Sequence, residues 1–209
     1  MIHQHELKAN DVHAYTLEML KEHLKIKVDG YICKTDMILN VLIKASAENS
    51  SLEAACGDLE ETADSNTIRE YLNEALPIKE LREQEKQVNK VLACGTPADL
   101  VRTDIEVALD FHDEPFYGKQ AGTRQVTCAG QAKKGTTHFV RIATAYIIWR
   151  QVRLTLAVRY VLPEDETLEI LKFLLQRLKN SVLRQKYSIW IKALLRQASF
   201  NSSHYNGNT

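Results

Sequence analysis

The stretch ALDFHDEPFYGK, residues 108–119, sets Asp110, His112, Asp113 and Glu114 immediately before Pro115, Tyr117 and Gly118. It follows the alternating run TDIEVALD, which reads as a strand ending on Asp110. A carboxylate at a strand end has two readings. It can cap a turn, which the proline and glycine predict on their own, or it can be a rigidly mounted metal ligand. The second reading has a definite chemistry. Phosphodiester cleavage by two metal ions needs several carboxylates on neighbouring strands, holding the ions about 4 Å apart, together with cationic side chains for the nucleic-acid backbone.

Cations follow directly. The chain has no net formal charge over its 209 residues. Yet residues 1–114 hold 23 acidic and 12 basic side chains, and residues 115–209 hold 4 and 15. Between Pro115 and Pro163 no Asp or Glu occurs, while Lys119, Arg124, Lys133, Lys134, Arg141, Arg150, Arg153 and Arg159 do. A solvated face and a polyanion-binding surface both fit such a run; the complete absence of acids favours the polyanion.

The elements that must position these residues fall into two regions. The first hundred residues are helical in pattern. DVHAYTLEMLKEHL sets Val12, Tyr15, Leu17, Leu20 and Leu24 on one side after Asn10 or Asp11 as cap, and KTDMILNVLIKAS aligns Ile38, Val41, Leu42 and Ala45. SSLEAACGDL and NTIREYLNEAL open with Ser50/Glu53 and Thr67/Glu70 at capping-box spacing. Pro77 stops the latter, and IKELREQEKQVNKVLACG sets Ile78, Leu81, Val88 and Leu92 on one face. The pair SLEAACGDL and NTIREYLNEAL has the form of a helix-turn-helix, with Arg69 on the second helix as its DNA-contacting cation. A bundle of short helices gives the same pattern.

Beyond residue 100 the period changes. THFVRIATAYIIWRQ and VRLTLAVRYVL are β-branched and aromatic runs divided near Gln151, a hairpin apolar on both faces and therefore expected beneath helices. LPEDETLEILKFLLQRLKNSVL is a helix with Leu168, Leu171, Leu175, Leu178 and Val182 as its stripe. The order is strand, long basic loop, strand, strand, helix, the opening of a mixed α/β sheet. The last 26 residues read as an aberrant or disordered tail. An unpaired sheet edge would then favour self-association.

Four scattered cysteines, Cys33, Cys56, Cys94 and Cys128, indicate buried thiols in a reducing compartment and not a zinc site. No apolar run is long enough to span a membrane, and the N-terminus has no apolar signal core, so a cytoplasmic location is expected.

Three segments together, ALDFHDEPFYGK, QAKKGTTHFVRIATAYII and VRLTLAVRYVLPEDETLEILKFLLQRLK, resemble prokaryotic DDE-type insertion-sequence transposases over residues 104–180. The resemblance implies DNA transposition on transposon ends, with double-stranded DNA as partner and Mg²⁺ or Mn²⁺ as cofactor. It implies a helical DNA-binding region over 1–98, an RNase H-like catalytic domain over 99–183 and a tail over 184–209. Asp110 matches the first of three metal-binding acids. Pro115, Tyr117 and Gly118 match the P-x-Y-G element, and Lys134, Gly135 and Thr136 the turn before the second strand. Lys119, Arg124, Lys133, Lys134 and Arg69 are the expected DNA contacts.

The departure from the family is as informative as the match. Its second acid ends a fourth strand just after the long helix, yet no Asp or Glu follows Glu169. The expected fold is therefore α+β: a helical region, then an incomplete RNase H-like domain of three strands with a covering helix, inactive in cleavage. The alternative is a non-catalytic DNA-binding regulator derived from a transposase, or a helical interaction module. The codons of Trp190-Ile191, TGG followed by AT, spell GAT (aspartate) when read from the last base of the tryptophan codon, so a frameshift would account for the missing acid, and the genomic sequence tests it.

Overall fold

The computed structural model describes residues 8–97, 100, 105–118, 125–181 and 187–190. The chain divides into two compact units, Met1–Val91 and Leu92–Thr209, where the sequence suggested a boundary at 98/99. No helix among the described residues is long and apolar enough to cross a membrane.

The first unit is helical: α1 (Ala9–His23), α2 (Thr35–Ala47), α3 (Leu52–Asp58), α4 (Ser65–Ala75), a 3₁₀ turn at Ile78–Glu80 and α5 (Leu81–Cys94). Its core is Ile26, Cys33, Ile38, Leu39, Val41, Ala55, Cys56 and Ile68. Capping sets the helix starts, and three differ from expectation. α1 starts from Lys8 and not from Asn10 or Asp11; Asp11 stands at the third helical position, where its carboxylate accepts from the Lys8 amide at 3.0 Å. α3 starts from Ser51, whose hydroxyl accepts from the Ala54 amide at 3.1 Å. α4 starts from Asp64, which accepts from the Asn66 and Thr67 amides and from the Thr67 hydroxyl. Ser50 and Thr67 are therefore not the caps; a carboxylate beside two open amides is the stronger acceptor.

The stripes of α1 and α5 are likewise shifted. Val12 and Tyr15 are exposed, and α1 reaches the core through Leu17, Leu20 and Leu24. On α5 the buried side chains are Glu85, Gln87 and Asn89. Each has a partner that makes its burial tolerable. Arg82 pairs with Glu85 at 3.0 Å, Gln87 accepts from the Lys25 amide at 2.8 Å, and Asn89 donates to the Glu85 carbonyl at 2.8 Å.

The second unit holds a five-stranded sheet: β1 (Ile105–Pro115), β2 (Cys128–Lys133), β3 (Thr136–Trp149), β4 (Val152–Val161) and β5 (Tyr187–Trp190), with α6 (Thr167–Ser181) between β4 and β5. β3 is central. It pairs antiparallel with β1 along one side, and with β2 and then β4 along the other. β5 pairs parallel with β1, Ile105 opposite Tyr187 and Ala108 opposite Trp190. The architecture is mixed α/β, with three corrections to the sequence reading. β2 occupies part of the supposed loop. β1 runs five residues past Asp110, which lies inside the strand. And part of the supposed tail is a strand on the edge of β1 that was expected to stand unpaired.

Alternation divides the sheet's faces. Val107, Leu109, Ala143, Ala145, Ile147, Leu156 and Ala157 are buried with Ile170, Leu174 and Leu178 of α6. Leu168, expected on the α6 stripe, is 58% exposed: Ile170 and Leu174 carry the inward face. Val182 lies outside the described residues. On the opposite face Ala108, Asp110, Ile142, Thr144, Tyr146 and Val158 are half-buried and Ile148 is exposed. Helical cover, expected on both faces, is thus seen from α6 on one.

Candidate functional site around Asp110

Asp110 sits opposite Thr144, on the face away from α6. Its neighbours along β1 on that face are Ala108 and His112, and His112 Nε2 is 2.5 Å from Glu114 Oε1. Asp113 points to the other face and takes both Arg141 donors, at 2.6 and 3.0 Å. That hydrogen-bonded carboxylate raises the Arg141 pKa above its ordinary value. The charged cluster of the motif therefore separates. Asp113 is committed to a structural pair, His112 and Glu114 to each other, and Asp110 is left as the half-buried carboxylate of the open face.

The turn residues are brought together with the segment they were matched alongside. β1 ends with Pro115 opposite Phe139. The Phe116 amide donates to the His138 carbonyl at 2.9 Å, and Thr136 Oγ donates to the Phe116 carbonyl at 2.9 Å. Tyr117 Oη donates to the Lys134 carbonyl at 2.7 Å. Lys134 and Gly135 form the two-residue β2–β3 turn, with φ of 53° and 82°. Gly118 is needed for space: a Cβ there would lie 2.4 Å from the Phe116 ring. The P-x-Y-G and lysine-glycine-threonine segments thus form one hydrogen-bonded corner at the far end of β1.

Of the expected DNA contacts, Lys133 and Lys134 are exposed at that corner. Lys119 and Arg124 lie outside the described residues. Arg69 belongs to the first unit, where it donates to Ser65 Oγ and Asn66 Oδ1 on its own helix and lies 4.0 Å from Glu53.

Arg153, one cation of the acid-free run, has a place that the sequence did not reveal. Its guanidinium lies 3.7 Å from the Tyr146 ring centroid and 3.4 Å from Thr144 Oγ1, so it reaches along β3 to the residue opposite Asp110. Period-two alternation put Tyr146 and Thr144 on one face. Only the β3–β4 register, with Ile148 opposite Arg153, adds the arginine to them.

Divalent-metal chemistry asks for several oxygen ligands converging on one point. Among the described residues no three His, Cys, Asp or Glu side chains do so. On the open face the residue paired with Asp110 is Thr144, and the other acids of β1 on that face, Glu106 and Glu114, stand four residues away on either side, Glu114 held by His112. Among the described residues this donor set does not fit a two-metal centre.

The site and fold define an α/β unit whose open sheet face carries Asp110, with Arg153 reaching the residue opposite it. No protein-family model, no curated protein and no solved structure matches the chain.

Proposed function

We propose that this chain is a DNA-binding protein of transposase descent, with an RNase H-like unit whose catalytic acids are incomplete within these 209 residues. The observation that carries the reading is β5. A two-metal nuclease needs its carboxylates on adjacent strands, and the resemblance calls for a strand after the long helix bearing the second acid. A strand does follow α6, and it runs parallel to the Asp110 strand as its direct neighbour.

The register sharpens the point. Trp190 stands opposite Ala108, two residues before Asp110. The shifted codon straddling Trp190 and Ile191 would therefore put an aspartate within about two residue pairs of Asp110. In the present frame that position is tryptophan, and no Asp or Glu follows Glu169. Asp110 alone cannot hold two ions. What the chain retains is DNA binding through its basic half, with cleavage lost.

Two measurements test this. Binding to duplex DNA, followed by fluorescence anisotropy between about 50 and about 200 mM salt, is expected to weaken steeply as salt rises. Incubation of the same DNA with Mg²⁺ or Mn²⁺ is expected to give no nicking or strand transfer. Metal-dependent cleavage that disappears in Asp110→Ala would overturn the inactive assignment. Salt-independent or absent binding would overturn the DNA-binding one.

A further inference from the structure

The β3–β4 hairpin tip is built in a way that the stability of the sheet does not require. Its two-residue loop is Arg150-Gln151, and both residues have positive φ, 48° and 68°. That turn geometry suits Asn-Gly; a long side chain at each position costs conformational energy. Strain held at an exposed tip points to what the side chains do there. Around the loop, Ile148 is 66% and Val152 57% exposed. Arg150 lies over Trp149 with 5.5 Å to the ring centroid, and Arg153 over Tyr146. The tip sits within the acid-free run from Pro115 to Pro163.

We infer that this hairpin tip is a duplex-DNA contact, with Arg150 and Arg153 on backbone phosphates and Ile148, cross-strand partner of Arg153, against the groove. The inference rests on the DNA-binding reading above and names the part of the chain that does the gripping. Charge selects a polyanion. Shape selects B-form duplex, because its major groove admits a two-stranded β-ribbon whereas that of duplex RNA is too deep and narrow. Single strands are held by base stacking on open aromatic faces, and here the Trp149 and Tyr146 rings each carry an arginine. Stacking also fixes the guanidinium groups, so less side-chain freedom is lost on binding. Since Arg153 reaches Thr144, the residue opposite Asp110, a phosphate held by Arg153 lies on the same face as Asp110.

The test uses the full chain and a fluorescein-labelled duplex, with single-stranded DNA and duplex RNA of the same sequence as competitors. Arg150→Ala with Arg153→Ala is expected to weaken duplex binding at least about tenfold. It should also lower the log–log salt slope by nearly 2, about 0.9 for each phosphate that no longer has its arginine. Lys172→Ala with Lys179→Ala, exposed positions on α6, removes the same charge and should change affinity less than about threefold. A second variant guards against trivial unfolding. Arg150→Asn with Gln151→Gly relieves the turn strain, so it should melt at a higher temperature than the wild type while binding more weakly.

If the wild type binds and the hairpin variants bind equally well, this inference fails and the general reading stands. It fails in the same way if the α6 pair loses as much, or if single-stranded DNA or duplex RNA competes better than duplex DNA. A wild type that does not bind duplex DNA sinks both.

Discussion

Asp64 shows how one side chain can outrank a sequence motif. Thr67 and Glu70 have capping-box spacing, but Asp64 starts α4. The Thr67 hydroxyl and amide, then the Asn66 amide, bond its charged form and hold its carboxyl below the usual carboxylate range. The sign follows from linkage. A depressed folded-state pKa stabilises the fold above the unfolded value, and that contribution is lost as pH falls through the lower folded value. Asp64→Ala should therefore lower the melting temperature at neutral pH, and the gap from wild type should close as pH drops below the ordinary carboxylate range. A gap that stays constant down to acid pH would show that the charge is not what caps the helix. Asp110 teaches the opposite lesson. That it stands on a strand was legible in the alternation around it, whereas the commitments of its neighbours were not. That Asp113 belongs to Arg141, and Glu114 to His112, depends on which face each occupies and on the cross-strand register.

At the scale of elements, α6 and β5 carry the consequences. Periodicity identified α6 but turned its stripe, because leucines recur often enough along it to trace more than one line. The sheet selects the line through Ile170, Leu174 and Leu178, leaving Leu168 in solvent. Leu174→Ala should accordingly cost about 3 kcal/mol in urea denaturation, the usual cost of emptying a buried leucine site, while Leu168→Ala should cost under about 0.5 kcal/mol. Equal losses would mean that the inward face is misassigned. β5 was missed for a different reason. Four residues, YSIW, give too short a run for alternation to be recognised, and the strand exists because β1 offers it a free edge. β2 has the same explanation: its CAGQAK sequence has little strand propensity, and β3 with the Lys134–Gly135 turn folds it back.

For the molecule as a whole, the two units have separate hydrophobic clusters with no residue in common, one around Ile38 and Ile68 and the other around Leu109 and Leu174. Core truncations in different clusters should add. Ile38→Ala combined with Leu174→Ala should lose the sum of the single losses within about 0.5 kcal/mol. A coupling well above that, measured by a double-mutant cycle, would show that the clusters are energetically one. The charge division of the chain follows a similar line, with acids concentrated in the first half and the acid-free run, Pro115 to Pro163, in the second.

What the sequence determined by itself was local and periodic: helices first and strands after, the β3–β4 hairpin, a strand carrying Asp110 and a long run of cations with no acid between them in the chain. Those features depend on spacing and residue type, which a chain carries without folding. Only the tertiary structure decided which strands are neighbours, that β5 lies beside the Asp110 strand, and that Arg153 shares a face with Asp110. Register and strand order come from pairing between segments far apart in the chain, and no local pattern encodes them.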